Sequence, residues 1–359
     1  MPYKVLVVDD SQFFQRRLTD IINEHPDLTV VGVAANGREA VEKNMALQPD
    51  LISMDYEMPV LNGVSAIREI MEQRPVPILM FSSMTYEGAR VTLDSLEAGA
   101  LDFIPKDFAE VSHNTASLKR KLHGKLLDIV KSRPKFGFVP STKPTTKRDA
   151  PTRKDSPEES KSVEVPTRQL KSKINLLIIG ASTGGPVALT EVLTRLPENF
   201  SLPILLVQHM PENFTKAFAE RLNKQCKIAV KEAEDGDQLR AGLAILAPGG
   251  KQMMLDSHNR GQIKILPGDS RINYRPSVDI TFGSAANTYG DKVLGIVLTG
   301  MGSDGCEGAR LLKNKGATIW SQDEASCVIY GMPMAVARAN LADKILPLGE
   351  FGTTLMRVF

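Results

Sequence analysis

The sequence predicts two α/β domains, each built on a parallel sheet. Three observations predict this. Strand-like apolar runs alternate with helix-like amphipathic stretches along most of the 359 residues, which is the pattern of βα units. Length alone allows about two or three domains. Between Pro134 and Ser172 the pattern stops: this stretch holds six prolines and nine Lys or Arg against five Asp or Glu, with no apolar periodicity. Such a composition reads as a solvated tether. The expected division is a first domain over 1–130, a linker over 131–172 and a second domain over 173–359.

The whole-chain numbers exclude several classes. An apolar share of 42% and a charged share of 24% are ordinary for a soluble globular protein. No run of eighteen apolar residues offers a membrane span. The start, MPYKVLVVDDSQ, lacks the long apolar core of a secretory signal, so the cytoplasm is the expected location. The net charge of +2 comes from the tether, which gives no reason to expect a nucleic-acid-binding face on the folded parts. The three cysteines, Cys226, Cys306 and Cys327, are far apart and form no C-x-x-C pair, so neither zinc nor a disulfide framework is expected.

In the first domain the expected strands are 3–9, 29–34, 50–55, 77–82 and 102–106. Five βα units in so short a span predict a flavodoxin-like (βα)5 sheet with its site at the carboxyl ends of the strands. Asp9 and Asp10 end the first strand, Asp55 the third, Ser82 the fourth, and Lys106 follows the fifth. Packed carboxylates repel unless a cation neutralises them, and an oxygen-only set suits Mg²⁺. Metal, carboxylate nucleophile, hydroxyl and ammonium on one rim suit phosphoryl transfer to a carboxylate. The bland alternative is that these acids cap helices, Asp10 above all.

VLVVDDS, MDYEMPVLNG, FSS and DFIPK resemble a response-regulator receiver domain over residues 3 to about 125. The resemblance implies that Asp55 accepts phosphate from a histidine kinase. It implies that Asp9, Asp10, Asp55 and the backbone carbonyl of Glu57 serve Mg²⁺. It also implies that Ser82, Lys106 and Phe103 are the switch hydroxyl, the phosphate-binding lysine and the switch aromatic. The sequence departs from the family at Asp107, where proline is usual.

In the second domain the expected strands are 174–180, 203–208, 244–248, 263–266, 292–300 and 317–322. The first runs into GASTGGP, a G-x-S-x-G match that sets Ser182 on a tight strand-to-helix turn. The second runs into His209 in VQHMP, and the long run at 292–300 is followed by Asp304 in GMGSDG. Parallel strand ends can gather such distant residues, and Ser, His and Asp form a nucleophile, base and orienter set. Each has a plainer reading: Ser182 as a helix cap, His209 as a core histidine, Asp304 as a turn residue. Asp279 in RPSVD competes for the third role. Backbone amides near Thr183 or Met301 would cradle an oxyanion.

The chain order Ser, His, Asp differs from that of α/β-hydrolases. GASTGGP, QHMP, LAPGG, RPSVD, LTGMGSDG and ASCVIYGMP resemble, in order, the catalytic domain of the chemotaxis protein-glutamate methylesterases over about 174–345. The resemblance implies a doubly wound parallel hydrolytic domain that removes glutamate methyl esters from methyl-accepting chemoreceptors and deamidates receptor glutamines. It implies Mg²⁺ for the receiver, no cofactor for the esterase site, a chemotaxis histidine kinase as phosphodonor, and neither nucleic acid nor membrane insertion.

Overall fold

The computed structural model describes residues 1–106, 116–132, 167–259, 261–269 and 272–359. The first sheet holds β1 (Tyr3–Val8), β2 (Leu28–Ala34), β3 (Leu51–Asp55), β4 (Ile78–Ser82) and β5 (Asp102–Pro105), all parallel, in the order β2-β1-β3-β4-β5. This is the flavodoxin-like order. Every residue of β3 and β4 is buried, as strands covered on both faces must be, which is why they read as unbroken apolar runs. The helices are α1 (Gln12–Asn23), α2 (Gly37–Leu47), α3 (Gly63–Gln73), α4 (Tyr86–Glu97) and α5 (Ala116–Ser132). Side-chain caps start three of them: Asn36 accepts from Glu39 N, Asn62 from Ser65 N and Thr85 from Gly88 N. Chain order reverses between β1 and β3, so Asp9 and Asp55 end neighbouring strands at the switch point.

The second domain carries α6 (Thr167–Lys173), β6 (Leu176–Ala181), α7 (Gly185–Leu193), β7 (Ile204–Gln208), α8 (Phe214–Gln225), β8 (Ala229–Glu232) and β9 (Leu243–Leu246). It continues with β10 (Lys251–Leu255), β11 (Ile263–Pro267), α9 (Val278–Tyr289), β12 (Val293–Val297), α10 (Cys306–Asn314), β13 (Thr318–Gln322), α11 (Met332–Arg338), β14 (Lys344–Leu346) and α12 (Leu348–Val358). Seven parallel strands run β14-β13-β12-β6-β7-β9-β8. Here too chain order reverses between β6 and β12, and the edge strand β8 precedes its neighbour β9 in the chain.

Two details differ from the sequence expectation. The run at 263–266 joins no parallel sheet: β11 pairs antiparallel with β10 in a two-stranded ribbon. The short strands β8 and β14 lie at the two sheet edges and are partly exposed, so they lack the long apolar run that marks a central strand. Most of the expected tether, 133–166, lies outside the described residues, as does Asp107. Its last residues, 167–172, belong to α6, whose Leu170 packs into the apolar core.

Candidate active site

Ser182 leaves β6 on a turn fixed at the backbone. Its N–H donates to the Thr299 carbonyl at 3.0 Å, and its own carbonyl accepts from Gly185 N at 2.8 Å and from Gln208 Nε2 at 2.9 Å. Two glycines make the turn possible. Gly184 has φ +76°, and a Cβ there would fall 2.6 Å from Val328; a Cβ on Gly300 would fall 2.7 Å from Ser182 Cβ. The residue capping α7 is Gly184, with no side-chain cap bond, so the Ser182 hydroxyl is not spent as a helix cap.

His209 follows β7, the neighbour of β6, and its backbone N–H donates to the Ala181 carbonyl at 3.2 Å. Its Nε2 lies 2.7 Å from Asp304 Oδ2. An ionised carboxylate only accepts, so Nε2 carries the proton. The other ring nitrogen, Nδ1, is buried without a hydrogen-bond partner, and in this conformation it makes no bond to Ser182. Tyr274 stacks on the imidazole, with ring centroids 4.2 Å apart and planes 8° apart.

Asp304 follows β12, the other neighbour of β6. Besides His209 it accepts from Ser277 Oγ at 2.8 Å, Val278 N at 2.7 Å and Asp279 N at 3.0 Å. Burial pushes its carboxyl up, but the His209 hydrogen bond and charge, with the backbone donors, outweigh that and hold it below the ordinary value. Asp279 is the contrasting case. It accepts from Gly305 N at 2.9 Å and Gly308 N at 2.6 Å, tying the start of α9 to the start of α10 just after Asp304. Burial and the Asp304 charge raise its carboxyl against those donors. Of the two candidates for the orienting carboxylate, Asp304 is the one bonded to His209. Thr183 is buried, and its hydroxyl donates to Asp102 of the first domain. Met301 follows Gly300 and packs against the first domain's apolar cluster.

In the first domain, carboxylate oxygens of Asp9, Asp10 and Asp55 lie within 4.8 Å of one another. Lys106 reaches both Asp9 and Asp55 at 2.8 Å, and its ammonium lies 4.1 Å from the centroid of the Phe14 ring. Burial lifts Asp9 above its ordinary value and Asp55 to about 6, against the pull of Lys106. Asp10 is exposed and does not cap α1, whose capping residue is Ser11. Three carboxylates with an all-oxygen donor set, one of them open to water, fit a divalent cation, whose charge would relieve the crowding. Ser82 turns away from Asp55: its hydroxyl bonds the Gly88 carbonyl at 3.1 Å and the Thr92 hydroxyl, both on α4.

The two domains are docked, and the seat lies against the Ser182 turn. Phe103 of β5 stacks on Phe214 of α8, centroids 4.6 Å apart and planes 6° apart. Asp102 takes both Thr183, beside the serine, and Lys125 of α5. Helices α4 and α8 form a polar edge: Arg221 bonds Asp94 at 2.6 Å and also Glu97, Gln225 bonds Glu97 at 2.8 Å, and Tyr86 bonds Glu220. Sequence reasoning assigned no role to Asp102, Phe214, Tyr274 or Ser277. Ser277 sat inside the quoted RPSVD motif, but only the fold shows which carboxylate it faces.

Residues 177–355 match the CheB methylesterase family and residues 5–116 the response regulator receiver domain. Protein-glutamate methylesterase/protein-glutamine glutaminase 1 of Saccharophagus degradans is 58% identical over 357 residues, 98% of each chain. The group 1 operon protein of the same name from Pseudomonas putida KT2440 is 56% identical over 375 residues, 99% of each chain. The crystal structure of the Thermotoga maritima CheB methylesterase catalytic domain is 39% identical, with a TM-score of 0.49, over 52% of this chain and 99% of that one. With that identity sustained across both domains, the chain belongs to the family of receiver-linked CheB methylesterases.

Proposed function

We propose that this chain is a phosphorylation-activated protein-glutamate methylesterase. It hydrolyses γ-glutamyl methyl esters on the cytoplasmic helices of chemoreceptors, releases methanol, and deamidates receptor glutamines. The observation that carries the reading is the Ser182, His209 and Asp304 set on three adjacent strand ends, with His209 and Asp304 joined at 2.7 Å.

In this mechanism Ser182 attacks the ester carbonyl and His209 takes its proton at Nδ1, the nitrogen left open by the Asp304 bond. Asp304 fixes the tautomer and stabilises the imidazolium. Backbone amides at Thr183 and Met301 receive the oxyanion, each donor typically worth ~3 kcal/mol of barrier. His209 then protonates the leaving methanol, or ammonia from a glutamine. Water, deprotonated by His209, frees the glutamate.

The receiver supplies control. Asp55 is the phosphoacceptor for a chemotaxis histidine kinase, with Asp9, Asp10 and Asp55 as the cation ligands and Lys106 against the phosphoryl oxygens. Mg²⁺ there would neutralise charge on the transferring group. Phosphate at Asp55 draws in Ser82, which must release Gly88 and Thr92 of α4, while Phe103 repacks and the docked receiver, acting as a lid on the Ser182 turn, loosens. Of residues 131–172, the part between α5 and α6 acts as the tether between the domains. The chain works in the cytoplasm; among the described residues no helix is long and apolar enough to cross a membrane.

The test is methanol release from methylated receptor membranes with and without acetyl phosphate; equal rates would defeat the control, and no release would defeat the enzyme. A metal prediction accompanies it. Acetyl phosphate with Mg²⁺ modifies Asp55, and EDTA or Asp10→Ala suppresses the modification. The esterase activity of residues 173–359 alone is indifferent to EDTA, and metal-dependent activity there would contradict a proton-transfer mechanism run by His209.

A further inference from the structure

Tyr274 has no part in the chemistry described so far, yet its ring lies flat on the His209 imidazole. The loop that carries it is clamped. Gln252, buried at 3% exposure, donates from Nε2 to the Tyr274 carbonyl at 2.7 Å and accepts the Ser277 N–H at 2.8 Å through Oε1. The same loop ends at Ser277 and runs into α9, delivering Ser277 Oγ, Val278 N and Asp279 N to Asp304. One short segment thus holds the imidazole by its face and the carboxylate by its lone pairs. Gly302, at φ +77°, leaves the space the ring needs: a Cβ there would lie 2.9 Å from the Tyr274 hydroxyl.

The hydrogen bond from Nε2 to Asp304 fixes one point of the imidazole and leaves it free to tilt about that point. A flat partner removes the tilt. The partner also changes what protonation does. When Nδ1 takes the serine proton the ring becomes a cation, and an aromatic face at stacking distance attracts a cation through its quadrupole. Burial, then the charges of Asp304 and of Asp128 on α5, push the Tyr274 hydroxyl up. The phenol therefore stays neutral, and its face rather than its proton is what His209 meets.

We propose that Tyr274 is a positioning residue for ester hydrolysis: it keeps the His209 plane aligned so that Nδ1 addresses Ser182, and it braces the imidazolium through its π face. This rests on the esterase reading of Ser182 and His209. The two can fail separately.

The experiment compares four full-length chains, each activated with acetyl phosphate and Mg²⁺, for methanol release from methylated receptor membranes, with thermal unfolding as a check on folding. Tyr274→Phe keeps the ring and should retain kcat within about twofold, whereas Tyr274→Leu should lower kcat about tenfold at unchanged KM. Should the leucine variant not fold, Tyr274→Met, unbranched and flexible, carries the same expectation. The proposal is overturned if an aliphatic variant keeps wild-type kcat. It is also overturned if KM rises while kcat holds, which would make Tyr274 a substrate contact, or if Tyr274→Phe is as slow as Tyr274→Leu, which would assign the effect to the hydroxyl. Ser182→Ala is the fourth chain: methanol release that survives it strikes the esterase reading, whereas an inactive Ser182→Ala beside a fully active Tyr274→Leu strikes the positioning role alone.

Discussion

Ser182→Ala should yield a folded protein whose methanol release is lower by about four to six orders of magnitude. The size follows from what is lost. The methyl group leaves the backbone turn intact, because the bonds holding it to Thr299, Gly185 and Gln208 involve only the serine's main chain. It removes the atom that forms the covalent intermediate. His209→Gln should cost a similar factor, and the double variant should be no worse than either single one, since neither group acts without the other. Asp304→Asn should cost about 10⁴, because an amide placed against Nε2 favours the wrong tautomer. The asparagine also disturbs the three donors from Ser277 and the first two residues of α9, so its unfolding midpoint must be compared with the wild type. Single-turnover methanol release checks all four proteins. More than a few percent of wild-type activity in Ser182→Ala would assign the nucleophile elsewhere.

The second large effect concerns the lid. Removing residues 1–133 should raise activity well above that of the unphosphorylated full-length chain, and Asp55→Asn should keep basal activity while losing stimulation. With a tether of the proposed kind between the domains, the docked face is where control is expected to act. That face sets Asp102 on Thr183, one residue from the nucleophile, and Phe103 on Phe214. Raising an open population from about 1% to about 50% needs only ~2.7 kcal/mol, a load one phosphoryl group can carry. Phe103→Ala offers a full-length version of the test. An aromatic pair contributes ~1 kcal/mol beyond its buried area, so this change should raise basal release about fivefold or more and blunt the response to acetyl phosphate. If the truncated protein is no more active than the unphosphorylated full chain, the receiver is not an inhibitory lid, and phosphorylation must act by building a productive arrangement.

Much of this is legible in the sequence. Parallel strands buried on both faces write themselves as apolar runs, so β1, β3, β4, β6, β7 and β12 were read to within a few residues, and their ends named Asp9, Asp55, Ser82, Ser182, His209 and Asp304. The short, partly exposed edge strands of the second sheet carry no such signature, which hid β8 and β14. The ribbon of β10 and β11 was missed for another reason: IKIL looks the same whether its partner is parallel or antiparallel. The long apolar run before Asp304 favours it over Asp279 for the orienting role, and the fold agrees by giving Asp304 to His209 and Asp279 to the start of α10. Docking contacts were the least legible. Asp102 opens β5 in a motif already assigned to the receiver, and nothing local distinguishes an acid that meets Thr183 from one that meets water.

The stacked Phe103 and Phe214 rings have a thermal consequence. Apolar clusters of both domains merge around them into a single buried core, so opening the lid wets aromatic and aliphatic surface and raises the heat capacity. Contacts of that kind weaken on cooling. On the proposed lid reading, the unphosphorylated chain should spend more of its time open in the cold while the chemical step slows. The two trends oppose each other, so the resting rate of demethylation should vary less with the temperature of the surroundings than the turnover of the exposed site does.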